Sequence, residues 1–275
     1  MKTATYLVLL LCFLSVPTFA QTEEQANNGD DFSLEGALAM FKNAKSLEEF
    51  EKAINEENNN VNNLDLNNDE KTDYVTVSDV KDGDTHVIVL STWLSESEKQ
   101  DIATIGIEKT AAEQAQLQIE GDTDLYAENT IIEPVDVEDK ATGGKGGPSI
   151  AEIEIMPVVV NVWLWPSVRF LYAPAYVVWV SPYRWAAYPR WWKPWRPVSH
   201  VVFYKRVAPH RVYYRPAPVR RVAVAHRVYA PHRRSSTLVV KNRRATTVVH
   251  KNKRTGKTTA VRKSNKTGRV RAARR

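Results

Sequence analysis

The sequence predicts an α+β protein: a small N-terminal domain of two helices on a four-stranded antiparallel meander, then a Pro/Trp-rich extended region and a largely disordered basic tail. Three observations predict this class. Apolar residues between 34 and 54 recur at helical spacing, four later segments alternate with period two, and the charge changes sign near residue 154. All 32 Asp and Glu lie in residues 1–154 together with 10 of the 38 Lys and Arg; residues 155–275 hold the other 28 cations and no acid.

The first 20 residues read as a secretory signal peptide. Lys2 starts an apolar run from 6 to 16, and Thr18 and Ala20 place small residues at −3 and −1, so cleavage is expected before Gln21. That run falls short of the roughly 20 residues that a spanning helix needs. The mature chain is therefore expected to be exported without a transmembrane helix, and to be periplasmic, outer-membrane-associated or extracellular. Cys12 is the only cysteine. The mature chain thus has no disulfide, no thiolate metal ligand and no thiol nucleophile.

Residues 21–31 are polar and form a flexible leader, followed by an acidic domain over 32–137. Leu34, Ala37, Leu38 and Phe41 share one helical face. Ser46 and Glu49 make a capping box for a second helix, which carries Leu47, Phe50 and Ile54 as its stripe. The Asn-rich stretch 55–68 reads as loop, since Asn tolerates left-handed backbone and bonds its own chain locally. Four strands follow. They cover 73–80, then 86–93 after the Asp82-Gly83 turn, then Ala103, Ile105 and Ile107, then Ala115, Leu117 and Ile119. Gln114, Gln116 and Gln118 are expected to face water, which predicts a sheet covered on one side.

Residues 138–149 (EDKATGGKGGPS) are a Gly-rich linker. The hinge, 150–197, holds seven of the eight Trp, and seven prolines cut its last 41 residues, which rules out a continuous helix. Runs of seven or eight residues at 158–165 and 175–181 read as short strands, with Trp163, Trp165 and Trp179 in a local core. The tail, 198–275, is basic and of low complexity: His210-Arg211-Val212-Tyr213 recurs as His226-Arg227-Val228-Tyr229. Such a composition predicts disorder, with Val-rich strands confined to 198–214.

The sharpest motif is DLNNDEKTD at 65–73. Asp65, Asn67, Asp69 and Asp73 would supply side-chain oxygens at positions 1, 3, 5 and 9, and Lys71 its carbonyl at position 7, a donor set suited to calcium in a structural role. The motif resembles the calcium loops of integrin-type propeller repeats and thrombospondin type 3 repeats over nine residues, with Glu70 where those loops have Gly. No other cofactor is indicated. Five of the six His lie in the tail, all but His200 with Lys or Arg within two residues, and read as polar tail residues; His86 reads as a strand-boundary residue.

The second signal is RWAAYPRWWKPWRP at 184–197. Trp185, Trp191, Trp192 and Trp195, interleaved with Arg184, Arg190, Lys193 and Arg196, read as exposed or interfacial. Indoles settle at the headgroup level of bilayers, and cations add attraction to anionic lipid. This run resembles Trp- and Pro-rich cationic host-defence peptides. From Leu47 to Pro197 the chain also resembles exported envelope proteins of Bacteroidetes-type bacteria, a resemblance that brings no assigned activity.

No nucleophile motif or cofactor fingerprint points to an enzyme. The expected function is non-enzymatic: an envelope-associated protein whose Trp-rich basic C-terminal region binds an anionic membrane surface or polysaccharide. Extracellular DNA is an alternative partner for the same tail, because cations and aromatics also neutralise phosphates and stack on bases. Self-association of acidic head with basic tail is the other.

Overall fold

A computed structural model describes residues 29–67, 69–135 and 159–236, together with the strand segments 239–242, 245–251, 258–264 and 270–274. The expected signal peptide, most of the expected leader and the Gly-rich linker lie outside the described residues.

The α+β class holds, and the first half follows the local sequence. Helix α1 (Leu34–Asn43) starts where the Ser33 side chain accepts the Gly36 N–H. Helix α2 (Leu47–Ile54) starts at Ser46, whose Oγ accepts from the Glu49 N–H at 3.1 Å, while Glu49 reaches back to the Lys45 N–H. Their apolar faces bury Leu38, Phe41, Leu47, Phe50 and Ile54. Strands β1 (Val75–Asp82), β2 (Thr85–Trp93), β3 (Lys99–Ala111) and β4 (Gln114–Gly121) form the expected meander. Gly83, at φ +54°, makes the first hairpin turn.

The sheet is larger than expected. β5 (Ile131–Pro134) pairs with β4, and β6 (Tyr214–Pro216), from the tail, pairs with β5 to give six antiparallel strands. The hinge also differs from its predicted strands. Prolines that end strands also start helices, because the missing N–H is an orphan there anyway. Pro166 therefore opens α3 (Pro166–Leu171), which buries Val168 and Leu171 against the first core. In the predicted strand 175–181, only the end meets the sheet: Asp79 N donates to Trp179 O, Ser181 N donates to Val77 O, and Val180 bridges Ser78 at the β1 edge.

The expectation of a one-sided sheet is corrected. β2 is buried along both faces: Ile88 and Leu90 enter the main core, while Val87 and Val89 join Val222, Ala225 and Tyr229 in a second cluster. Helix α5 (Ala223–Tyr229) covers that second face. Gln118 is accordingly buried rather than facing water, its amide donating to Glu133 and to the Val219 carbonyl.

The expectation of a disordered tail is corrected over residues 198–236. Instead of Val-rich strands this stretch forms α4 (His200–Arg206), a 3-10 turn over Ala208–Tyr213, β6 and α5. Two forces order it. Phe203, Val207, Tyr214, Val222 and Tyr229 are buried, each contributing about 1.5–3 kcal/mol for a large side chain. Arginines also meet carboxylates of the head. Arg233 takes both oxygens of Asp122 at 2.7 Å, Arg215 and Arg221 share Glu133, and Arg220 pairs with Glu120. Farther on, β7 (Val239–Asn242), β8 (Ala245–Lys251), β9 (Thr258–Ser264) and β10 (Val270–Arg274) pair into a separate antiparallel sheet in the order β10-β9-β8-β7.

Candidate binding cleft

The two motifs singled out in the sequence, more than a hundred residues apart, meet in space. One wall is the loop 65–73. Asp65 accepts the N–H of Asp69 (3.0 Å) on one oxygen and that of Glu70 (3.1 Å) on the other. Asn67 Oδ1 accepts from Asp69 N, Asp69 Oδ1 accepts from Lys71 N, and Asp73 Oδ2 accepts from Leu66 N at 2.6 Å. These side-chain-to-backbone bonds wind the loop tightly. Glu70 sits at φ +64°, the left-handed conformation that the missing Gly would supply, so the sharp turn forms at the expected position without it.

Burial above all, with added repulsion from Asp65 and Asp69, pushes the Asp73 carboxyl well above the ordinary carboxylate range, against the opposing pull of the Leu66 N–H. Among the described residues, no three His, Cys, Asp or Glu side chains are grouped so as to hold a metal ion. The side chains of Asp65, Asn67, Asp69 and Asp73 each accept from the loop's own N–H groups.

The other wall is the aromatic hinge. Tyr74, just after the loop, is the post on which it folds: Trp192 stands edge-on at 5.0 Å between centroids, Tyr183 does the same at 5.6 Å, and Tyr188 packs against Trp192 at 4.8 Å. Such aromatic pairs add about 0.5–1.5 kcal/mol beyond the area they bury. Behind them the buried Glu51 of α2 accepts from Tyr74 Oη, Ser181 Oγ and Val77 N, joining helix, sheet and hinge at one carboxylate. Thr72 donates through both N–H and Oγ1 to the Trp195 carbonyl, and Asn63 exchanges two bonds with the Val198 backbone.

Between the walls lies a cavity of about 230 Å³, with Asn67, Asp69 and Asp73 on one side and Trp185, Tyr188 and Trp192 on the other. No family model, curated protein or solved structure matches this chain. The cleft must therefore be read from its own chemistry.

The predicted contact residues divide. Trp192 is 8 % exposed, which corrects its reading as an interfacial residue; its ring is held by Tyr74 and Tyr188. Its indole N–H is buried without a partner. Trp185 and Trp195 are half-buried, whereas Trp191 is exposed, with Lys52 Nζ 5.7 Å from its ring. Arg184, Arg190 and Lys193 are exposed, and Arg196 reaches Glu70 at 3.3 Å. Of the Trp placed in a local core, Trp165 is buried and Trp163 and Trp179 are half-buried.

His86 is also corrected. It is wholly buried, its Nδ1 2.8 Å from Asp79 Oδ2, and the same oxygen accepts from Tyr176 Oη. In the tail, His226 Nδ1 lies 3.2 Å from Glu120 and His200 Nδ1 3.8 Å from Asp31, whose carboxyl is pushed up to about 6 chiefly by burial. Local sequence carried no sign of these pairings, because each partner comes from a distant segment or the facing strand.

Proposed function

We propose that this is an exported, non-enzymatic, envelope-associated protein whose basic C-terminal region binds an anionic surface: lipopolysaccharide, phospholipid or acidic polysaccharide. The observation that carries this reading is how charge is spent within the fold. Residues 29–236 carry 23 Lys and Arg against 30 Asp and Glu, while residues 237–275 carry 14 Lys and Arg and no acid. Five arginines of the first segment, at 196, 215, 220, 221 and 233, already face carboxylates. Acids thus outnumber cations in the first segment, and the excess positive charge of the chain lies in the last 39 residues; Arg184, Arg190 and Lys193 are exposed in the hinge. Each Lys or Arg near an anionic membrane contributes about 1 kcal/mol.

Cosedimentation of the mature chain with vesicles containing phosphatidylglycerol tests this, beside a chain ending at Ser236. The mature chain should pellet at low salt and be released near 1 M salt, where charges are screened within roughly 3 Å. The shorter chain should stay in solution. Equal binding by both, or binding indifferent to salt, refutes the reading. Tighter binding to a DNA duplex than to vesicles would favour the nucleic-acid alternative.

Calcium at Asp65, Asn67, Asp69, Asp73 and the Lys71 carbonyl is a second, structural reading. The left-handed Glu70 supports it, as does the mutual repulsion around Asp73, which a divalent ion would relieve. Millimolar calcium should then raise the melting temperature while equal magnesium does not, since magnesium demands near-ideal octahedral geometry. An unchanged melting temperature removes calcium.

A further inference from the structure

We infer that the C-terminal sheet, β7 to β10, lies on a phospholipid bilayer by one particular face. This rests on the proposed binding to an anionic surface and names, for it, the kind of surface and the face that meets it. In an antiparallel sheet, residues paired across strands share a face, and neighbours along one strand lie on opposite faces. The register pairs Val239 with Val248, Val248 with Val261, and Val261 with Ala272, so one apolar row crosses all four strands. On the same face, two residues to one side, runs the row that holds Lys241 and Lys263; two residues to the other side runs the row that holds Arg274.

Charge alone does not choose a face. These strands carry six cations. Lys241, Lys263 and Arg274 share the face of the apolar row, and Lys251, Arg262 and Arg271 share the other. The aliphatic positions do choose. The first face has four valines, at 239, 248, 261 and 270; the second has two, at 240 and 249, and otherwise alanine. An apolar row between rows of cations is the pattern of an interfacial surface, where apolar groups enter the headgroup boundary and cations meet anionic lipid.

Other polyanions fit less well. Residues 237–275 contain no Phe, Trp or Tyr, so the stacking platform on which single strands of nucleic acid are held is missing. An acidic polysaccharide would answer the cations and leave the valine row in water.

Cosedimentation of the full mature chain with phosphatidylglycerol vesicles tests this through two double variants that remove the same charge. Lys241→Gln with Lys263→Gln should weaken binding about thirtyfold, the worth of two cations at the surface. Arg262→Gln with Arg271→Gln changes the far face, beyond the roughly 8 Å over which charges act at physiological salt, and should weaken binding at most about threefold. Arg262 and Arg271 are paired directly, and like charges directly opposite weaken a sheet, so this second variant keeps the strands together. Another readout is independent of charge. Cys12, the only cysteine, precedes the expected cleavage site, so Val248→Cys or Thr247→Cys gives the mature chain one thiol for an environment-sensitive fluorophore. Vesicles should brighten and blue-shift the label at 248 and leave the label at 247 unchanged. Equal losses in the two double variants, or equal responses of the two labels, overturn the choice of face while leaving the tail's binding intact. A label at 248 that is already shielded without vesicles also overturns it, because the chain itself then covers the row. Tighter binding to duplex DNA, with the same change at 248, replaces lipid by nucleic acid. A mature chain that binds no vesicles at all defeats the anionic-surface reading and this inference with it.

Discussion

Adding one methyl group at Gly106 tests whether the C-terminal arm is part of the fold. Gly106 lies in β3, paired with Val87, under helix α5. A Cβ there would stand 2.8 Å from Ala225 Cβ and 3.0 Å from Val222 Cγ2, where carbon atoms normally rest at about 3.5–4.0 Å. Gly106→Ala must therefore lift α5 by roughly 1 Å. That shift stretches the 2.8 Å bond from Tyr229 Oη to Asp101 and loosens Val222 and Tyr229 from Val87 and Val89. Overpacking of this kind costs about 1–3 kcal/mol. For a folded unit of about 200 residues this lowers the melting temperature by roughly 2–12 °C. Calorimetry reads the loss, and limited trypsinolysis should show faster cleavage at Arg220, Arg221 and Arg227. Ala225→Gly removes the nearest clashing atom, so the double variant should recover part of the loss, less about 1 kcal/mol for a glycine inside a helix. If Gly106→Ala matches the parent in melting and cleavage, or the two changes simply add, α5 does not rest on this glycine.

Two further substitutions probe the electrostatic joints. Arg233→Ala leaves Asp122 buried without its bidentate partner; because Arg233 is about a third exposed, the expected loss is discounted to about 1–2 kcal/mol, and denaturant unfolding should show it. No loss would mean that the pair is screened to insignificance. Glu51→Gln tests a buried acid. Burial, above all, raises the Glu51 carboxyl above its ordinary value near 4.5, so the folded state holds its proton more tightly than the unfolded chain. The parent should therefore lose more stability than the variant as pH rises from about 4.5 through the folded-state value, the losses from Asp31 and Asp73 being common to both. Glutamine can accept from Val77 N and donate to the Tyr74 and Ser181 hydroxyls, so the fold should survive. Melting curves that stay parallel across pH 4–8 would contradict the raised carboxyl.

The elements that local chemistry specifies were legible in the sequence, and those that depend on distant partners were not. Ser46 and Glu49 cap α2 because a capping box needs only four consecutive residues. β5 and β6, of four and three residues, are too short to show a period, and β6 exists only because β5 offers it an edge. α5 left a trace that composition masked: Val222, Ala225 and Tyr229 recur at helical spacing among arginines and prolines. Val87 and Val89 gave another, since apolar residues on both faces of β2 require a cover on each side. For the cleft, the sequence supplied both walls but not their meeting. Thr72 to Trp195 and Asn63 to Val198 are contacts across more than 120 residues, and no local pattern encodes them.

The change of sign along the chain has a structural consequence that the arm's arginines make testable. Glu120 on β4, Asp122 just after it and Glu133 on β5 have side chains 17 %, 2 % and 7 % exposed, each paired with an arginine from 215–233. A buried carboxylate without its partner costs several kcal/mol. Without the arm, these groups return to water, but Val87 and Val89 are then uncovered and β5 becomes an open edge. Exposed apolar strands with unpaired edges invite association. The acidic segment is thus half of a folded unit, and a chain ending at Val135 is expected to be aggregated or to melt without a cooperative transition. Supplying residues 159–236 in trans should restore the transition, because the pairing surface is preserved on both pieces. A fragment ending at Val135 that stays monomeric and unfolds cooperatively at the parent's temperature would show that the arm merely decorates a complete domain.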